Sequence, residues 1–70
     1  MPYVKIEMLE GRSAEQKAAI ARIVTDALAQ HGGARPDSVF VVFDDYPRDC
    51  WAVAGKLISE RGAAQPDGKS

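Results

Sequence analysis

Apolar and polar positions change period along this chain, and the changes mark its elements. Residues 2–9, PYVKIEML, alternate: Pro2, Val4, Ile6 and Met8 fall on one side, Tyr3, Lys5, Glu7 and Leu9 on the other. Period two predicts a strand with one face more buried than the other. Glu10-Gly11-Arg12 reads as a turn. Ser13-Ala14-Glu15-Gln16 then has the form of a capping box, with Ser13 as N-cap and Gln16 at the third helical position. Behind it Ile20, Ile23, Val24, Ala27 and Leu28 recur at helical spacing and predict one apolar stripe. The helix is expected to run to about His31, where Gly32-Gly33 ends it and Pro36 prevents a restart.

Ser38–Phe43 predicts a second strand, and it does not alternate. Its five consecutive apolar residues, Val39 to Phe43, call for cover on both faces. Residues 44–49 are expected to form a loop, and Cys50–Ile58 a short extended or hairpin segment. Residues 62–70, GAAQPDGKS, read as a polar, mobile tail behind a domain of residues 1–61. Strand, helix, strand is a βαβ unit with parallel strands and a right-handed crossover, an α/β fold. One helix covers one face of a two-stranded sheet. Cover for the other face must come from further copies of the chain, so the pattern predicts a homo-oligomer.

Composition narrows the picture. Seventy residues make one small domain, too short to stabilise itself readily with its own core. One cysteine forms no intrachain disulfide, and one histidine with it makes no ordinary zinc site. Assembly is the staple that remains. Nine basic and ten acidic residues are interspersed, without the basic stripe of a nucleic-acid binder. No apolar run has the length of a membrane span, and the N-terminus lacks the form of a signal peptide. A cytoplasmic location is expected, with no nucleic-acid or membrane partner.

MPYVKIEMLEGRSAEQK at the start, the SVFVV strand and the PRDCWAVAGKL segment together resemble the 4-oxalocrotonate tautomerase family. The resemblance covers residues 2 to about 58. It implies a β-α-β subunit, a four-stranded sheet in the dimer, and a hexamer built as a trimer of dimers. It also implies keto–enol chemistry on small 2-oxo acids and 2-hydroxydienoates, without metal or organic cofactor.

Pro2 is the candidate catalytic residue. Alone it reads equally as a strand-starting proline. With Met1 removed it becomes a free secondary amine, and N-terminal amines titrate at roughly 7.7–8.0. An apolar pocket or a nearby cation lowers that value toward neutrality, where a general base works best. Arg12, held between a glycine and a helix N-cap, can grip a carboxylate bidentately, and the resemblance implies a substrate-binding arginine there. Trp51 reads as an apolar anchor, and the resemblance makes it a wall of the active site as well. Pro2 and Arg12 stand at opposite ends of the first strand, on the order of 25–30 Å apart at 3.3 Å per residue. The site therefore has to lie between subunits.

Phe40 departs from the family's pattern. The best-known members carry a second arginine there, which contacts the substrate's carboxylate and carbonyl oxygen. Its loss removes an electrophile that stabilises the enolate and turns substrate preference away from dicarboxylates. Phe40 thus enters as a substrate-contact position of altered chemistry, with Arg35 and Arg48 as other cations expected on solvated loops. Two alternatives stay open: a weak tautomerase acting as a hydratase- or dehalogenase-like lyase on unsaturated acids, and a non-catalytic oligomeric module. The lyase relatives use a glutamate near Trp51, where this chain has Asp49. His31, Cys50 and the Asp44-Asp45 pair are read as structural: a helix-end cation, a small buried side chain and a solvated strand end.

Overall fold

The computed structural model describes residues 2–61. The tail expected at 62–70 lies outside the described residues. Strand β1 is Tyr3–Leu9, helix α1 is Ala14–Gly32 and strand β2 is Phe40–Tyr46. A hairpin follows, of β3 (Ala52–Val53) and β4 (Lys56–Leu57). Strands β1 and β2 form one parallel two-stranded sheet, and β3 and β4 another, antiparallel. The expected β-α-β subunit and C-terminal hairpin are both present. By internal contact the chain divides into two compact units. One holds the first part of β1, α1 and β2 as far as Asp44. The other holds the end of β1 and the described residues from Asp45 onward.

Within the first unit the predicted alternation of β1 holds. Val4 and Ile6 are half-buried, whereas Tyr3 and Lys5 are exposed. The capping box forms as read: the Gln16 amide donates to Ser13 Oγ at 3.1 Å, and the Ser13 amide donates to Gln16 Oε1 at 2.8 Å. Two of the helix's orphan donors are satisfied this way. Gly33 ends α1 in the left-handed region at φ 71°, and its amide donates to the Leu28 carbonyl. Pro36 does restart the chain briefly, as a single 3₁₀ turn over Pro36–Ser38 with proline at its start.

The half-buried face of the helix is rotated from the stripe its sequence suggests. Lys17, Ile20, Ala21, Val24 and Leu28 are half-buried, but Ile23 is 64% exposed and Ala27 is exposed too. At 100° per residue Ile23 and Ala27 turn away from the Lys17–Ala21–Leu28 arc. The expectation that they share its cover is corrected for the single chain.

Strand β2 begins two residues later than expected and continues through Asp44, Asp45 and Tyr46, which were read as a loop. Cross-strand partners explain the extension. Lys5 Nζ lies 3.4 Å from Asp44 Oδ2, and the Tyr46 hydroxyl lies 3.4 Å from Glu7 Oε2. Within the single chain β2 is not covered on both faces: Phe40 and Val42 are 48% and 38% exposed. In the second unit Leu9 and Ile58 are the buried hydrophobic residues, at 5% and 6% exposure. Leu9 breaks the alternation of β1, being buried on the side where Tyr3, Lys5 and Glu7 are exposed.

The hairpin pairs Ala52 with Leu57 and Val53 with Lys56. That register leaves Ala54-Gly55 as a two-residue loop, with φ of 54° and 81°. Positive φ at both central positions defines a type I′ turn.

Candidate active site

Pro2 lies immediately before β1 and is half-buried. Its carbonyl accepts the Phe40 amide at 3.0 Å, so the residue is pinned to the start of β2. In a parallel ladder this bond sets Phe40 beside Tyr3. Their exposures agree, Tyr3 at 61% and Phe40 at 48%, and Val42 continues the same apolar surface. The Phe40 backbone is therefore against Pro2, while its ring is on the outer side of the sheet.

Arg12 is half-buried and sits between Gly11, whose φ is 131°, and the Ser13 N-cap. The positive φ favours glycine there and turns the chain from strand into helix. Seven extended residues, Tyr3–Leu9, stand between Pro2 and Arg12. The chain itself does not bring those two groups together.

Trp51 belongs to the second unit. It follows a 3₁₀ turn over Arg48–Cys50 and is half-buried. Its carbonyl accepts the Ile58 amide at 2.9 Å. Its indole meets the Tyr46 ring edge-on, with centroids 5.8 Å apart and planes at 68°. Tyr46 was not singled out in the sequence. The signal for it is the alternation Val42-Asp44-Tyr46, which carries β2 beyond its apolar run and ends on an aromatic five residues before Trp51.

The remaining cations and the thiol are also placed. Arg35 is exposed and 3.6 Å from Asp37, a solvated pair of little energetic weight. Arg48 is half-buried on its 3₁₀ turn rather than on an open loop. His31 is exposed in the last turn of α1, where the helix dipole favours a cation. Cys50 is exposed, not buried as expected, because the 3₁₀ turn before Trp51 presents it outward. Local desolvation, then repulsion by the Asp49 carboxylate and a hydrogen bond to it, push the thiol above its ordinary pKa. A thiol so placed is a weak nucleophile. Among the described residues no group of histidine, cysteine and carboxylate side chains is arranged to hold a metal ion. No helix of the described residues is long and apolar enough to cross a membrane.

Comparison with known proteins gives these positions a family. The tautomerase family, described as "Tautomerase enzyme", matches residues 2–61. The chain is 45% identical over 62 residues to a 2-hydroxymuconate tautomerase of Comamonas testosteroni, covering 89% of this chain and 98% of that one. It is 42% identical over 60 residues to the 2-hydroxymuconate tautomerase of Bacillus subtilis strain 168, covering 86% and 97%. Among solved structures it resembles a heterohexamer 4-oxalocrotonate tautomerase from Chloroflexus aurantiacus J-10-fl. The TM-score is 0.83 at 35% identity, over 89% of this chain and all of that one. With the β-α-β subunit, a matched family and relatives aligned end to end, the chain belongs to the 4-oxalocrotonate tautomerase superfamily and is an enzyme of the tautomerase class.

Proposed function

We propose that the protein interconverts enol and keto forms of small 2-oxo acids, with Pro2 as general base after removal of Met1. The observation that carries this reading is the Phe40–Pro2 hydrogen bond, which fixes the residue bearing the amine onto the sheet. A base held in one place avoids the orientational cost of a free amine in solution.

The reaction is redox-neutral and moves one proton. The Pro2 amine takes the hydroxyl proton of a 2-hydroxydienoate. The O–H electron pair becomes the second C=O bond, and the diene electrons shift toward the terminal carbon. The resulting ammonium returns the proton to carbon, leaving the amine as it began. Arg12 holds a substrate carboxylate, and Trp51 walls the pocket.

Because β1 separates Pro2 from Arg12, the working site lies between subunits. Two β1 strands pairing antiparallel across a dimer axis, in a four-stranded sheet, bring Pro2 of one chain toward Arg12 of the other. Exposed Tyr3, Phe40 and Val42 on the sheet and Ile23 on the helix support burial against further copies, with a homohexamer as the assembly. Residues 1–61 are then the catalytic domain, working in the cytoplasm.

Ketonisation of 2-hydroxymuconate and phenylenolpyruvate by wild type and Pro2→Ala tests the base, alongside intact mass. A positioned general base is worth about 10²–10⁴-fold, so Pro2→Ala should lose kcat on that scale. Its primary amine leaves residual activity. An unchanged rate, or full activity in protein that retains Met1, would remove Pro2 from the reaction.

A further inference from the structure

Little in the backbone fixes the direction of the Trp51 side chain. The residue lies outside regular structure, between a 3₁₀ turn and the short strand β3. One backbone hydrogen bond, from the Ile58 amide, ties its carbonyl down. That bond fixes the chain and leaves the rotation of the indole open.

Tyr46 supplies what is missing. As the last residue of β2 its backbone is fixed: the Glu10 amide donates to its carbonyl at 2.9 Å. Its ring and the Trp51 indole make the T-shaped contact at 5.8 Å and 68°. Edge-to-face geometry sets the positive edge of one ring against the negative face of the other, so it favours one orientation of the pair. At the far end of the ring the hydroxyl is 3.4 Å from Glu7 Oε2. That is long for an O–H donor, so the hydroxyl guides the ring and the ring contact holds the indole. All of these groups belong to the same compact unit.

We propose that Tyr46 is a positioning residue: it holds the Trp51 indole in the orientation that walls the substrate pocket. The proposal rests on the reading of Trp51 as a pocket residue. Tyr46 takes no part in the proton transfer, so its loss affects binding of the substrate and leaves the chemistry at Pro2 in place.

Trp51 is the only tryptophan in the chain, so indole spectroscopy reports on this residue alone. In Tyr46→Leu the near-UV circular dichroism of the indole should collapse, and its fluorescence anisotropy should decay faster. KM should rise on the order of two- to tenfold, the scale of one aromatic pair, with kcat nearly unchanged. Tyr46→Phe should restore both the spectrum and KM. In a Trp51→Ala background, Tyr46→Leu should add nothing further to KM, as expected of a residue acting through the indole. If Tyr46→Leu is not folded by far-ultraviolet circular dichroism, Tyr46→Met takes its place. An unchanged indole spectrum and KM in Tyr46→Leu, beside a Trp51→Ala that loses activity, would overturn the proposal alone. A fully active Trp51→Ala would overturn it together with the place of Trp51 in the pocket. Loss of kcat in Tyr46→Phe would overturn it too, by placing the hydroxyl in the chemistry.

Discussion

The Phe40 amide donates to the Pro2 carbonyl across 3.0 Å, while Arg12 stands beyond the opposite end of β1. The strand that fixes the proposed base therefore also keeps it from the guanidinium of its own chain. A site made from both must borrow one of them.

Subunit mixing tests that consequence directly. Pro2→Ala replaces the proposed base with a weaker primary amine, and Arg12→Ala should mainly raise KM through loss of a bidentate carboxylate grip. Unfolded together and reassembled, the two variants form mixed pairs. Each such pair has one site with both Pro2 and Arg12 intact and one with neither. Activity at low substrate concentration should rise well above that of either variant. No recovery in reassembled mixtures of normal size would place base and guanidinium in one chain.

The hairpin after Trp51 contains a backbone conformation that its sequence fits poorly. Ala54 adopts φ 54° in a type I′ turn, where a side chain in the left-handed region costs roughly 1–2 kcal/mol. Asparagine tolerates that region better, so Ala54→Asn should stabilise the protein by about 0.5–1 kcal/mol. Thermal denaturation at one fixed protein concentration is the measurement, since assembly makes Tm depend on concentration. An unchanged or lower Tm would show that this turn is not strained.

Cys50 should be a slow thiol. Thiolate is the reactive form, and desolvation together with Asp49 raises the pKa, so less thiolate is present at neutral pH. Alkylation by iodoacetamide at pH 7 should be slower than that of free cysteine, and its rate should climb only above the ordinary thiol range. Asp49→Asn removes a negative charge and should shift the curve to lower pH. A rate equal to free cysteine at pH 7 would contradict the placement of that carboxylate.

What the sequence made legible were features carried by neighbours in the chain. Ser13 and Gln16 are three residues apart and satisfy each other's backbone amides, so their pattern is complete in four letters. Pro2 and Arg12 are different: their settings alone leave a strand-starting proline and a solvated arginine open, and it is the family resemblance that makes them candidates. Asp44 and Tyr46 read as loop because an aspartate pair and a following proline break the apolar run, and their partners, Lys5 and Glu7, lie 39 positions away. Ile23 shares the spacing of Ile20, Val24 and Leu28, but the half-buried face is turned toward Ala21, Thr25 and Ala29, small side chains that do not announce it. The Tyr46–Trp51 contact was hidden for a similar reason: a 3₁₀ turn folds the intervening residues back, and nothing in their composition announces it.

Phe40 gives the last prediction, on substrate choice. Its ring lies 48% exposed on the outer side of the sheet beside Tyr3, an apolar surface next to the strand start that bears Pro2. A pocket that includes this surface accepts an aromatic or apolar substrate end and offers no charge to a second carboxylate. Loss of one donor to a developing oxyanion costs roughly 2.7–4 kcal/mol, or about 10²–10³ in kcat. That loss slows both substrates alike, and the second carboxylate left without a cation should make wild type prefer phenylenolpyruvate to 2-hydroxymuconate by kcat/KM. Phe40→Arg should raise the dicarboxylate rate and lower that of the aromatic acid. The exchange keeps the backbone bond to Pro2, and sedimentation checks the size of the assembly, because the same surface is expected to meet another copy. Wild type that already prefers the dicarboxylate would mean another cation meets the second carboxylate. Arg48, half-buried on the turn before Trp51, is then the residue to replace first, ahead of Arg35, which is exposed beside Asp37.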